Sequence, residues 1–280
     1  MANRESLSVQ AASAGYGAGA VISDISLAVP AGWVVVLLGP NGSGKSTLLK
    51  AITGHIPLMS GRVLLQGADI TNMRADRIAR MGLGYVPQVR DAFVTMSVRE
   101  NLEMGGYTLA RSQVPERIER VVSIFPALGG LLGTVVSRLS GGERKMVAIA
   151  RVLMLEPRAL IIDEPTAGLS PKLSEDVLQN HVRRLADAKV AVLLVEQKAH
   201  EALRVADWAY VMVNGTMQME GTPEDLLARQ DIGVVFLGAT PDDDLDSQPQ
   251  GGAPRTDDAT NLVRVTRAEV GSQNADTKER

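Results

Sequence analysis

The stretch Leu37–Lys50, LLGPNGSGKSTLLK, leaves the chain few ways to fold. It begins within Val34-Val35-Val36-Leu37-Leu38, a continuous β-branched apolar run that reads as a buried strand. The run breaks at Gly39. Gly39, Gly42 and Gly44 let the backbone turn where a Cβ would clash. After Lys45-Ser46-Thr47, the residues Leu48, Leu49 and Ile52 set up a helical period. Gly39-x-x-x-x-Gly44-Lys45-Ser46 therefore lies between a strand and a helix, the context of a phosphate-binding loop. Free N–H groups along the loop (Asn41, Gly42 and Ser43 included) and at the helix start as far as Thr47 suit polyphosphate oxygens. Lys45 adds a positive charge for the β- and γ-phosphates, and the Ser46 hydroxyl can join the shell of Mg²⁺.

The 280 residues suffice for one large domain or two small ones. An apolar share of 45 % and a charged share of 22 % are those of a globular chain with a real core. A net charge of −3 gives no basic footprint for nucleic acid. The lack of cysteine excludes disulfides, thiolate metal sites and a cysteine nucleophile, and fits a reducing compartment. The opening MANRESLSVQ has no signal-peptide core, and no apolar run approaches the ~20 residues that span a bilayer. A membrane role is expected to go through a partner.

In chain order, Leu7, Val9 and Ala11 alternate with polar residues, as in a strand at an antiparallel edge, and Gly15-Tyr16-Gly17 reads as a turn. Val21 to Val29 suggests a strand pair closed by Pro30-Ala31-Gly32. Ser60-Gly61 is expected to turn into a strand over 62–67, with a short polar helix over 74–80 and a buried strand from Met81 to Val86, ending at Pro87-Gln88. From about 89 to 157 helical patterns dominate. Ser97 and Glu100 form a helix start, 115–125 is amphipathic, and Leu139-Ser140-Gly141-Gly142-Glu143 opens a long helix that stops before Pro157. Ala159–Ile162 is a buried strand that runs into Asp163-Glu164-Pro165. A helix over 171–187, a strand over 190–195 and a helix over 198–205 follow. Asn214-Gly215 marks a hairpin between 208–213 and 216–220, and a last helix spans 223–229. Strands alternating with helices argue for an α/β fold with a mainly parallel sheet. Residues 239–280 are polar, rich in Gly and Pro, and read as disordered, with a weak amphipathic patch at Leu262–Val265.

The loop at 39–46, Gln88 at a strand end, Leu139-Ser140-Gly141-Gly142-Glu143 and Leu160-Ile161-Ile162-Asp163-Glu164-Pro165 occur in the order found in ATP-binding subunits of ABC transporters, which the chain resembles over about residues 5–238. Ala14–Gly17, Gly84–Gln88, Thr166–Pro171, Leu194–Gln197 and Phe236-Leu237-Gly238 are similar to the LivF-type subunit of branched-chain amino acid importers, a group whose relatives also import urea or short amides. The resemblance implies a P-loop NTPase-type sheet with an antiparallel β subdomain and a helical insertion at about 89–157. It also implies ATP and Mg²⁺ as ligands and a place at the cytoplasmic face of the membrane. The implied partners are permease subunits, a second ATP-binding subunit (sister chain or self) and, indirectly, a substrate-binding protein. The tail beyond 239 lies outside the family pattern.

Site roles follow. Hydrolysis needs positioned phosphates, neutralised charge and an aligned water. Asp163 is expected to hold Mg²⁺ and Glu164 to orient and deprotonate the water. Gln88 would touch Mg²⁺ or that water. Ser140-Gly141-Gly142, at a helix N-terminus, forms a second anion site that the resemblance assigns to a partner's ATP in a head-to-tail dimer. Tyr16 would stack on adenine. Gln197 stands where most of the superfamily has histidine, making the γ-phosphate contact neutral; His200 reads as a helix-surface residue. Lys145-Met146 and Trp33 depart from the usual pattern, and neither is expected to touch the chemistry. Phe93, Met96 and Met104 are candidates for an apolar surface facing the permease. A GTPase or kinase switch would need a guanine-reading stretch that the chain lacks. A soluble ABC protein of translation or repair would carry two units or a long coiled coil. A lipopolysaccharide extractor should have histidine at 197.

Overall fold

The computed structural model describes residues 5–17, 19–89 and 92–228. Strands β1 (Glu5–Tyr16) and β2 (Gly19–Pro30) precede β3 (Val34–Leu38), which feeds helix α1 (Lys45–Ile52). Then come β4 (Leu58–Leu65), β5 (Ala68–Asp69), α2 (Ala75–Arg80), β6 (Leu83–Val86), and the helices α3 (Val98–Gly105), α4 (Val114–Ile124) and α5 (Gly141–Leu153). The chain returns through β7 (Ala159–Asp163), α6 (Pro171–Asp176), α7 (Arg183–Asp187), β8 (Ala191–Glu196), α8 (Ala199–Leu203), the hairpin β9 (Trp208–Val213) and β10 (Thr216–Gly221), and α9 (Pro223–Leu227). Helices α6 and α7 join through one wide π-helical turn, Val177–Val182, so the helix expected over 171–187 is continuous but locally underwound and wider. The disordered-tail expectation, the 262–265 patch and the close at 236–238 lie outside the described residues.

Two sheets form. The larger has the order β10-β9-β3-β8-β7-β6, parallel throughout except for the edge strand β10. Strands in its middle are buried on both faces, which is why they read as unbroken apolar runs. Alternate residues sort into two cores. Val34, Val36, Leu38, Leu160, Ile162, Val192 and Leu194 face α5, the 171–187 helix and residues of α3 and α4. Val35, Leu37, Ile161, Leu193 and Val195 face α1 and the antiparallel sheet. Trp33 packs partly buried against this second core.

The smaller sheet has the order β2-β1-β4-β5. Three expectations are corrected here. Strand β1 lies between two neighbours and is not an edge. The region 21–29 is one strand, not a pair; a kink at Asp24 (φ 54°) interrupts its pattern. Ser60-Gly61 is no turn, because β4 runs straight through it. The reason is a bulge. Ala11 sits at φ 48°, and the register with β4 slips between Gln10↔Arg62 and Ser13↔Ser60, so Ala11 and Ala12 oppose Gly61 alone. Ala11 thereby turns outward and Ala12 and Ala14 become the buried residues. Gly61 has φ +87°, and a Cβ there would lie 2.4 Å from the Ala11 carbonyl.

Gly61→Ala therefore combines left-handed backbone with a backbone collision. It is expected to destabilise the protein by about 1–3 kcal/mol, seen as a lower midpoint in denaturant unfolding at unchanged slope.

Candidate active site

Three neighbouring parallel strands end together. Leu38 of β3 pairs with Glu196 of β8, and Asp163 of β7 pairs with Val195. The loops beyond these ends carry most of the expected site.

The 39–44 loop is shaped by close approach. A Cβ on Gly39 would lie 2.3 Å from the Met212 carbonyl and 2.6 Å from Ser43 Oγ; one on Gly44 would meet Ile22 and Met212 side chains. Gly42 and Gly44 have φ of 81° and 103°. The β9–β10 turn holds the loop from outside, where Gly215 N donates to Ser43 O at 2.9 Å. Helix α1 starts at Gly44 with no side-chain cap and no acidic residue in its first turn. Its orphan N–H groups and dipole are thus left to an anion. A pocket of 180 Å³ opens there, lined by residues 41–47, Val21 and Glu164. Lys45 is buried, and its Nζ donates to Gly39 O (2.6 Å) and Pro40 O (3.1 Å). Burial pulls its pKa down, opposed by the charges of Glu164, Asp163 and Glu196.

The chain turns at the strand end after Asp163, as the sequence leads one to expect, and the turn is made by a left-handed residue. Successive strand residues face opposite ways. Glu164, however, has φ 43°, and its N–H donates to Val195 O at 2.9 Å. This left-handed residue turns its carboxylate back to the phosphate loop. Glu164 Oε1 accepts from Gln197 Nε2 (2.5 Å) and Oε2 from Gln88 Nε2 (2.7 Å). Asp163 Oδ2 accepts from the Tyr85 hydroxyl at 3.2 Å. Burial pushes the Asp163 carboxyl above its ordinary pKa, with the Tyr85 bond and the charges of Lys45 and Lys145 pulling it back. Burial likewise raises the Tyr85 phenol, which stays a neutral donor. Among the described residues no group of three or more His, Asp or Glu could hold a metal alone. The hydroxyl of Ser46, the amide of Gln88 and the carboxylate of Asp163 are hard oxygen donors. They suit Mg²⁺ that arrives with water and phosphate oxygens.

Tyr16 stands exposed at the end of β1, its hydroxyl 3.2 Å from Lys50 Nζ of α1. Hydrogen bonding from Lys50, then Thr47, lowers its pKa, and Lys50 Nζ lies 5.6 Å from the centre of its ring. The structure does not bring Ser140, Gly141 and Gly142 to this pocket. Ser140 and Gly142 line a separate cavity with Leu173 and Asp176. Ser140 caps α5 in a closed capping box: its Oγ accepts from Glu143 N (3.3 Å), and its own N–H donates to Glu143 Oε2 (2.8 Å). His200 is exposed on α8, away from the pocket lining. Lys145 donates to the Gln88 backbone carbonyl at 2.9 Å. The sequence assigns Tyr85 and Glu196 no role, because only strand register brings them in.

A second feature lies across the sheet edge. An apolar groove of 560 Å³ is lined by Tyr85, Phe93, Met104, Tyr107, Arg151 and residues of α2. Phe93, Met104 and Tyr107 are exposed, and Arg151 lies 4.8 Å over the Phe93 ring. Met96, expected with them, is half-buried, its carbonyl bonded to Val136 N.

A glycine-built phosphate loop opening an uncapped helix, with an acidic pair at the neighbouring strand end, defines a P-loop nucleoside triphosphatase. The relatives narrow the class. A family model described as "ABC transporter" matches residues 22–167. The chain is 36 % identical over 225 residues, 80 % of this chain and 95 % of that protein, to the probable branched-chain amino acid transport ATP-binding protein LivF of Archaeoglobus fulgidus. It is 36 % identical over 236 residues, 84 % and 97 % of the two chains, to the lipopolysaccharide export system ATP-binding protein LptB of Acidithiobacillus ferridurans. The crystal structure of the ADP conformation of MJ1267, an ATP-binding cassette of an ABC transporter, superposes with a TM-score of 0.77 at 29 % identity, covering 84 % of this chain and 99 % of that one. The chain belongs to the ABC transporter ATP-binding family and is the ATPase subunit of such a transporter. Among the described residues no helix is long and apolar enough to cross a membrane.

Gly39→Ala would drive a methyl into the Met212 carbonyl and displace the loop. The expected loss is at least about tenfold in ATP affinity, about 1.4 kcal/mol, measured by binding of a fluorescent ATP analogue to the folded variant.

Proposed function

We propose that the chain hydrolyses ATP with Glu164 as the base, and powers import of branched-chain amino acids or related small solutes. One observation carries the chemistry: Glu164 lines the phosphate-loop pocket and is gripped by two neutral amides, Gln88 and Gln197. An amide donates to a carboxylate without delivering a proton to it, so Glu164 stays a proton acceptor. The loop amides and Lys45 hold the phosphates, Tyr16 stacks on adenine, and Ser46, Gln88 and Asp163 hold Mg²⁺. When bound, Mg²⁺ neutralises phosphate charge. Glu164 then orients a water and takes its proton.

Ser140, Gly141 and Gly142 act on the ATP of a second ATP-binding subunit, sister chain or self, in a head-to-tail dimer. Their place outside this chain's own pocket supports that reading. The helical subdomain at about 89–157 presents the apolar groove to a permease subunit at the cytoplasmic face of the membrane. A substrate-binding protein on the other side selects the solute. The likeness to LivF and the neutral Gln197 favour amino acid import. The comparable likeness to LptB makes lipopolysaccharide export the second reading, and the absence of histidine at 197 speaks against it.

Glu164→Gln should lower ATP turnover by about 10²–10⁴-fold with ATP affinity retained; unchanged turnover would remove Glu164 from the chemistry. Met104→Glu should abolish co-purification with the permease while leaving nucleotide binding intact. Uptake assays on the co-purified complex in vesicles, with leucine against urea as cargo, decide the substrate class.

A further inference from the structure

Glu196 is 3 % exposed, at the last position of β8. A carboxylate this buried needs partners, and this one has three. Oε1 accepts from Thr166 N at 3.1 Å and from Thr166 Oγ1 at 2.8 Å. Oε2 accepts from Gln197 N at 3.3 Å. Burial pushes the carboxyl above its ordinary pKa, and these same bonds pull it back. An apolar residue could fill such a place in a sheet at little or no cost in stability, so strand stability alone does not account for the acid.

Its position does. Thr166 stands two residues after Glu164, and Gln197 follows Glu196 directly. Glu164 is held in the left-handed region, at φ 43°, which an ordinary side chain occupies only under constraint. One tie is the backbone bond from Glu164 N to Val195 O. The Glu196 carboxylate supplies the other, clamping Thr166, itself 1 % exposed, onto the end of β8. The Gln197 side chain then closes on Glu164 Oε1 from the same strand end. Residues 164–166 and 195–197 are thus joined by backbone at one point and by side chains at two. Glu196 does not line the phosphate-loop pocket.

We propose that Glu196 is a positioning residue for hydrolysis: by holding Thr166 and the Gln197 backbone it fixes the strained turn that aims the Glu164 carboxylate. The inference rests on Glu164 acting as the base. A misplacement of the base on the order of 1 Å can cost about 10²-fold in rate, whereas neither Glu196 nor Thr166 lines the phosphate-loop pocket.

The test uses the full chain and four variants: Glu164→Gln, Glu196→Ala, Thr166→Val and the double variant Glu164→Gln/Thr166→Val. Thr166→Val keeps the side-chain shape and removes only the hydroxyl. Expected are falls in kcat of about tenfold or more for Glu196→Ala and about threefold or more for Thr166→Val, with KM for ATP within about twofold for Thr166→Val, which leaves the charges around Lys45 unchanged. In the Glu164→Gln background Thr166→Val should have no further effect, since the base it helps to aim is gone. An inactive Glu164→Gln beside a fully active, folded Thr166→Val and Glu196→Ala overturns the positioning role and leaves the base in place. A further fall in the double variant equal to that in the single one also overturns it, because that marks general structural damage. Normal turnover of Glu164→Gln overturns the base assignment itself. If Glu196→Ala does not fold, Thr166→Val alone decides.

Discussion

The phosphate loop is held at a distance only glycine allows. Gly39 leaves β3 so close to the Met212 carbonyl of β9 that no Cβ fits, and Gly44 lies against Ile22 and Met212. The β9–β10 turn completes the support through Gly215 N to Ser43 O. That turn is itself left-handed at both central residues, Asn214 (φ 48°) and Gly215 (φ 78°), which matches the twist of the hairpin strands. The pocket is therefore shaped by an antiparallel hairpin at the edge of a parallel sheet. The sheet supplies the strand ends, and the hairpin keeps the loop from relaxing away from them.

Around that loop, charge is arranged more than neutralised. Lys45 is buried with three carboxylates near enough to raise its pKa against the effect of burial. Those carboxylates are kept apart by different neighbours. Asp163 has a phenol, Glu164 two amides, and Glu196 a threonine and a backbone N–H. Each acid thus sits in its own hydrogen-bonding environment, which is how adjacent carboxylates acquire separate tasks. The α5 N-terminus is the contrast. Its first turn is closed by Ser140 and Glu143, so the positive end of that helix is partly shielded within its own chain.

What could be read from the chain was what local order encodes. The strand–loop–helix at 34–52 and the Asn-Gly hairpin rest on residues adjacent in sequence, and both stand as expected. The buried strands betrayed themselves by unbroken apolar runs. The bulge at Ala11 was hidden because the slip depends on Gly61, a residue far away in sequence. The same holds in the site. Asp163 and Glu164 were legible from their motif, but the positive φ at Glu164, which lines the pocket, was not. Tyr85 and Glu196 lie inside family motifs that assign them no task, and Lys145 departs from the pattern. They matter because β6, β7 and β8 lie side by side in register and α5 crosses near Gln88. No window of sequence contains that information.

Tyr85 joins two places described separately. It forms part of the wall of the apolar groove, while its hydroxyl donates to Asp163 beside the phosphate loop. A phenol is rigid, so a shift of the ring in the groove is also a shift of the oxygen at the acid. Whatever occupies the groove and whatever draws on Asp163 then share one mechanical degree of freedom. Thermodynamic reciprocity makes such a link run both ways: if an occupant of the groove changes the cost of ligating a cation at Asp163, the cation changes the occupant's affinity by the same factor.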